Sequence, residues 1–186
     1  KTLEKLIEKT APSMGKEAKL VIKHIDSHAL NYVPFKDLKE ILTQIVRNAL
    51  VHGIEVPEER SRLKKAPHGH IELSITQEQQ RIVCTITDDG RGISFNAVRQ
   101  RAQEQQLIDP KDNLSREQLL TLLFNPGFST EKTSTVHAGR GIGLSLVKDR
   151  IKKLNGSIGI QTKEGQGCRF ILHFPVLQES PAAGAV

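Results

Sequence analysis

A chain of 186 residues is long enough for one well-cored domain and short for two. Its 37% hydrophobic and 26% charged residues are those of an ordinary globular protein, and no apolar stretch approaches the ~18 residues that a membrane helix needs, so direct membrane insertion is not expected. The net charge of +6 is scattered apart from Arg60–Ser61–Arg62–Leu63–Lys64–Lys65, which no stacking aromatics accompany; that run reads as a solvated loop, and no nucleic-acid partner is expected.

In chain order, the sequence opens with Lys1 rather than Met and enters a helical pattern at Leu3, Leu6 and Ile7, so it reads as a segment of a longer protein. Pro12 to Gly15 breaks that helix, and Lys19 to Ile25 reads as a first strand. A long amphipathic helix is expected from Phe35 to His52, with Leu38, Ile41, Leu42, Ile45, Val46 and Ala49 on one face and Gly53 as its C-terminal cap. Val56 to Gly69 reads as a connection. Ile71–Ile75 and Ile82–Ile86 alternate apolar and polar residues, the pattern of strands covered on one face, and form a hairpin.

After the Gly-rich turn Asp88–Gly92, helices are expected over Phe95–Gln106 and Ser115–Phe124; Ser115 and Gln118 form a capping-box signature. Asn125 to Gly143 reads as a loop, Leu144–Leu154 as a helix, and Ser157–Thr162 and Cys168–Phe174 as closing strands around a Gly165–Gly167 turn. The tail from Glu179 reads as disordered. Cys84 and Cys168 belong to no CxxC or Cys/His cluster and read as buried thiols, which fits the cytosol. The element order points to an α/β two-layer sandwich, a mixed and mostly antiparallel sheet with helices on one face.

Three elements carry chemistry. Gln44, Asn48 and His52, four residues apart, form a polar stripe on the long helix; an Asn oxygen can bind a hard ion such as Mg²⁺, and His52 could reach phosphate. Asp88–Asp89–Gly90–Arg91–Gly92–Ile93 ends a strand with a carboxylate that can accept from an adenine amino group, beside glycines that let the backbone approach a flat ring. Gly139–Arg140–Gly141–Ile142–Gly143–Leu144 opens a helix whose N-terminus suits phosphates. The last run is neither a P-loop, which requires Gly-Lys-Ser/Thr, nor a dinucleotide fingerprint, which follows a strand directly.

In this order the motifs resemble the ATPase superfamily that joins histidine kinases, gyrase, a class of heat-shock chaperones and the MutL repair proteins. Val46–Arg–Asn–Ala–Leu–Val–His–Gly–Ile–Glu55 is similar to the chemotaxis (CheA-type) histidine kinases, as are Asp88–Ile93, Phe124–Asn–Pro–Gly–Phe–Ser–Thr130 and Gly139–Gly143 through Lys148. The resemblance runs from about Gly15 to Pro175. It implies an ATP-binding kinase domain over residues 15–176, preceded by a helix or linker (1–14) from another domain and followed by a flexible tail (177–186).

Carried over by position, Asn48 holds Mg²⁺, His52 contacts phosphates, Asp88 holds the adenine amino group beside Gly90 and Gly92, and Arg47 and Ile93 belong to the ATP-binding set. Ser129, Thr130 and Lys132 lie in a nucleotide lid anchored by Phe124 and Phe128, and Gly139, Arg140, Gly141, Ile142, Gly143 and Leu144 wrap the phosphates. The implied reaction transfers the γ-phosphoryl of Mg-ATP to a histidine on a separate phosphotransfer domain, with Gln44, Asn48 and His52 as the catalytic set. The implied partners are that domain, a response regulator, and a coupling protein with its receptor array; the parent protein would be a homodimer through a domain absent here.

This sequence departs from the pattern at Gln44, where the chemotaxis kinases often carry His and hydrolytic relatives Glu. It departs also at Val51 and Ser145, where Asp is usual, and Lys132 stands one place later than usual. A neutral amide is a poor general base. Two alternatives therefore stay open: a hydrolase of the same fold, and a non-catalytic nucleotide-responsive interaction module.

Overall fold

The computed structural model describes residues 1–128 and 143–176. Five strands form one sheet in the order β1-β2-β3-β5-β4: β1 (Ala18–Ile25), β2 (Gly69–Glu78), β3 (Arg81–Asp88), β4 (Ser157–Lys163) and β5 (Gly167–Pro175). β1 runs parallel to β2 and every other pairing is antiparallel, so the sheet is mixed and mostly antiparallel as expected.

Alternation decides which face is covered. Ile71, Leu73 and Ile75 of β2, Ile82, Cys84 and Ile86 of β3, and Cys168, Phe170, Leu172 and Phe174 of β5 are all buried. They share one core with three helices, α1 (Thr2–Ser13), α2 (Phe35–Asn48) and α6 (Gly143–Lys153). α2 contributes Leu38, Ile41, Leu42, Ile45 and Val46, the apolar face legible in its spacing. α1 adds Leu3, Ile7 and Ala11, with Pro12 inside its last turn. Arg150 of α6 pairs with Asp37 (3.0 Å) and Glu40 of α2, which sets these two helices side by side.

A smaller core lies under α4 (Phe95–Glu104) and α5 (Arg116–Leu122), where Val98, Ala102, Leu119 and Phe128 meet. α5 starts with the capping box read from sequence: the Gln118 amide N–H donates to Ser115 Oγ (3.2 Å), and the Ser115 N–H donates to Gln118 Oε1 (2.7 Å). Phe128 is buried here, while Phe124 stacks beneath the Lys148 ammonium of α6, 5.6 Å from the ring centre.

The expectations for two stretches of the chain need correction. The long helix does not run regularly to His52: α2 ends at Asn48 and Ala49–Gly53 forms a π-turn. Gly53 is not a left-handed cap but is buried within that turn, its small size required by the neighbours described below. The supposed connection Val56–Gly69 contains a short helix, α3 (Pro57–Arg62), and Arg60 in its solvated-looking cluster is completely buried. The reason is non-local: carboxylates from Glu55 and Asp89 converge on its guanidinium. The tail 177–186 and its expected disorder lie outside the described residues.

Candidate nucleotide site

Asp88 is the last residue on the covered face of β3, so the alternation that buries Ile82, Cys84 and Ile86 also aims its carboxylate at the helix layer. It is only 5% exposed. Burial pushes its carboxyl up to about 6, against the N–H groups of Gly90 and Cys168, which favour the charged form; the nearby charges of Asp89 and Glu55 add to the rise. The Gly90 N–H donates to Asp88 Oδ1 at 3.0 Å, and Cys168 faces Asp88 in the β3–β5 register.

Glycines make room around this carboxylate. A Cβ on Gly53 would sit 3.0 Å from Asp88 Oδ1, and one on Gly90 would overlap the Gly53 carbonyl. The Arg91 N–H donates to that same carbonyl (2.9 Å), joining the π-turn to the Asp88–Gly92 loop. Gly92 adopts φ +70°, and a Cβ there would strike the Lys163 carbonyl. The Ile93 N–H donates to Thr162 Oγ1 (3.0 Å), whose hydroxyl donates to the Gly167 carbonyl (3.0 Å) and lies 3.3 Å from Cys168 Sγ. Gly53, Thr162 and Cys168 thus frame the Asp88 end. None of them was read from the sequence as a site residue; only the strand register and the fold of the π-turn bring them there.

Both thiols are buried and unpaired with each other. Burial pushes the Cys84 thiol up to about 12; for Cys168 burial does the same and the Asp88 charge adds to it. Neither is therefore a reactive thiolate near neutral pH.

The second group of site residues gathers between α2 and α6. Gln44 and Asn48 lie one turn apart on α2, facing the first residue of α6. A Cβ on Gly143 would overlap Gln44 Nε2 and lie 3.4 Å from Asn48 Oδ1, so glycine lets the helix N-terminus sit directly against both amides. Leu144 packs on the main core behind it and Ser145 is buried. Arg47 is in the last turn of α2 and His52 in the π-turn, both half-buried. A groove of about 380 Å³ between α2 and α6 meets this region at Gln44, while Asn48, His52 and Asp88 do not line it. Ser129, Thr130, Lys132, Gly139, Arg140, Gly141 and Ile142 lie outside the described residues.

The arrangement fits a nucleotide with a phosphate-borne cation. Among the described residues no group of three His, Cys, Asp or Glu side chains is placed to hold a metal. Asn48 offers a single hard oxygen beside a helix N-terminus, the partial site that Mg²⁺ accepts when phosphate and water complete its shell. No helix among the described residues is long and apolar enough to cross a membrane.

Comparison with known proteins bears on this geometry. The family model described as histidine kinase-, DNA gyrase B- and HSP90-like ATPase matches residues 35–178. The chain is 36% identical over 172 residues to the chemotaxis protein CheA of Treponema pallidum, covering 92% of this chain and 21% of that one. It is 37% identical over 174 residues to the CheA of Rhizobium meliloti (94% and 23%), and 34% identical over 174 residues to the sensor histidine kinase CheAY of Helicobacter pylori (92% and 22%). The chain thus spans between a fifth and a quarter of the length of these curated relatives. The matched span holds the Asn48 helix, the Asp88 loop and the start of α6 in a mixed α/β sandwich, and the chain belongs to the histidine kinase-, DNA gyrase B- and HSP90-like ATPase family as a CheA-like member.

Proposed function

We propose that residues 15–176 form the ATP-binding catalytic domain of a chemotaxis-type histidine kinase, reached from a preceding domain through residues 1–14 and followed by a tail at 177–186. The observation that carries the reading is Asp88: a buried carboxylate at a strand end, walled by Gly53 and Gly90, is an acceptor for one exocyclic amino group. ATP would lie with adenine at Asp88, Gly90, Gly92 and Ile93 and its phosphates towards Asn48, His52 and the start of α6. When bound, Mg²⁺ supplies charge neutralisation on the phosphates, and Asn48 is the side chain on α2 suited to hold it.

Phosphoryl transfer depends mainly on positioning and charge stabilisation, which suits a site of neutral amides at a helix N-terminus. Gln44 cannot take up a proton near neutral pH, which argues against activated-water hydrolysis and leaves it an orienting role. The acceptor would be a histidine on a phosphotransfer domain, in the same protein or a partner, serving a response regulator. A homodimeric parent in the cytoplasm, attached to a coupling protein and receptor array, completes the proposal.

Calorimetric titration with a non-hydrolysable ATP analogue and Mg²⁺ tests it. The expected result is one-to-one binding, weakened at least about tenfold, or ~1.4 kcal/mol, in Asp88→Asn. A folded wild-type chain that binds nothing would sink the reading. A second reading, a nucleotide-responsive module without catalysis, draws on Gln44 and Val51. Incubating the domain with labelled ATP and an acceptor domain separates the two: phosphohistidine on the acceptor excludes the module.

A further inference from the structure

Arg60 and Lys65 belong to the one basic cluster of the sequence, yet neither behaves as a solvated cation. Arg60 is fully buried: Nη1 donates to Glu55 Oε2 (2.9 Å), Nη2 to Asp89 Oδ2 (2.9 Å), and Nε to the Ala66 carbonyl (2.6 Å). Lys65 Nζ donates to Glu55 Oε1 (2.7 Å) and to two main-chain carbonyls, those of Asp89 (3.0 Å) and Gly90 (2.8 Å). All three ammonium hydrogens are thereby used, two of them on the backbone that follows Asp88. Asp89 is held from the other side by His70, whose N–H donates to Oδ1 at 2.9 Å.

A buried ion pair by itself is poor evidence of a stability role, because desolvation offsets most of the attraction. What this one does specifically is fix a loop. Gly90 has its carbonyl on Lys65 and its N–H on Asp88 Oδ1, so a single residue transmits the position of the ammonium to the carboxylate. Gly90 also rests against Gly53, leaving it no room to shift towards the π-turn.

We propose that Lys65, held in place by the buried Glu55–Arg60 pair, is a positioning residue for the nucleotide base: by fixing the Asp89 and Gly90 carbonyls it sets the acceptor geometry of Asp88. The inference rests on the reading of Asp88 as the acceptor of an exocyclic amino group. It concerns discrimination between bases, since the Lys65 ammonium is already engaged by Glu55, Asp89 and Gly90.

The test is a pair of titrations, ADP and IDP, with wild type and Lys65→Met, alongside urea unfolding of both. IDP keeps the sugar and phosphates but lacks the amino group. Wild type is expected to prefer ADP by at least about tenfold, since a site built around one N–H rejects the analogue lacking it. In Lys65→Met the ADP affinity is expected to fall while the IDP affinity holds, taking the ratio below about threefold. A lowered urea midpoint with an unchanged ADP/IDP ratio would mean that Lys65 is merely structural, and overturns the inference while leaving the reading of Asp88 intact. A wild-type chain that does not discriminate overturns both. Should Lys65→Met not fold, Glu55→Gln, which keeps the side-chain shape and removes the charge that holds Lys65, must lower the same ratio; a ratio equal to wild type overturns the inference.

Discussion

At Asp88 the chain buries a carboxylate among other charges, with Arg60 and Lys65 binding Glu55, Asp89 and two backbone carbonyls around it. Where α6 begins against α2, the side chains that meet the backbone of Gly143 are neutral amides, Gln44 and Asn48. The first region is constrained from several sides before any ligand arrives. The second provides a helix N-terminus and the hard oxygen of Asn48 and leaves charge to be brought by the ligand. That contrast matches the demands of the proposed ligand: a base must be recognised by geometry, whereas phosphates with their cation carry the charge that a helix N-terminus attracts.

The contrast can be broken most forcefully at Arg60. Arg60→Met leaves Glu55 and Asp89 without their main counter-charge, and urea unfolding is expected to show a loss of about 3–5 kcal/mol. A loss under about 1 kcal/mol would mean that the Asp88 end is not held by charge in the way described.

Asp88→Asn should act in the opposite direction on stability. The folded carboxyl sits at about 6 against an ordinary 3.8. Between those values the native state keeps a proton that the unfolded chain has lost, so wild-type stability falls as pH rises from about 4 to about 6 and stays lower above that. The Asn variant lacks this slope and is expected to be more stable than wild type by on the order of 2–3 kcal/mol at pH 7, with little difference at pH 4, in urea titrations at the two pH values. More stable yet weaker in nucleotide binding is the signature of a strained functional group. Wild-type affinity for adenine nucleotide is expected to drop as pH falls through about 6, where Asp88 takes up its proton.

Ser115→Ala in the smaller core supplies a reference outside both ends. Loss of the capping box should cost about 1 kcal/mol in thermal or urea unfolding and leave nucleotide affinity unchanged. The smallest expected effect is at Asn48. Asn48→Ala should alter Mg-free nucleotide affinity by less than about threefold while removing the gain that Mg²⁺ brings, read from titrations with and without the metal. A large loss without Mg²⁺ would show that the α2–α6 end recognises the nucleotide directly.

What the sequence determined alone is what local chemistry specifies. Period-two alternation placed Ile82, Cys84 and Ile86 on a covered face, which in the structure extends to Asp88. The spacing of Leu38, Ile41, Leu42 and Ile45 gave α2 its buried side, and Ser115 with Gln118 marked the start of α5. Each of these signals lies within a few residues of its consequence. The tertiary structure decided the rest. Gly53 looked like a helix cap and instead packs against the Asp88 carboxylate, because the π-turn brings it against Gly90. Cys168 and Thr162 reach the surroundings of Asp88 only through the pairing of β3 with β5 and of β5 with β4. Arg60 looked solvated because charge runs usually are; it is buried because Asp89, 29 residues away in the chain, meets it in space. A buried charge is tolerable only where its partners converge, and convergence is a property of the folded chain that no local pattern records.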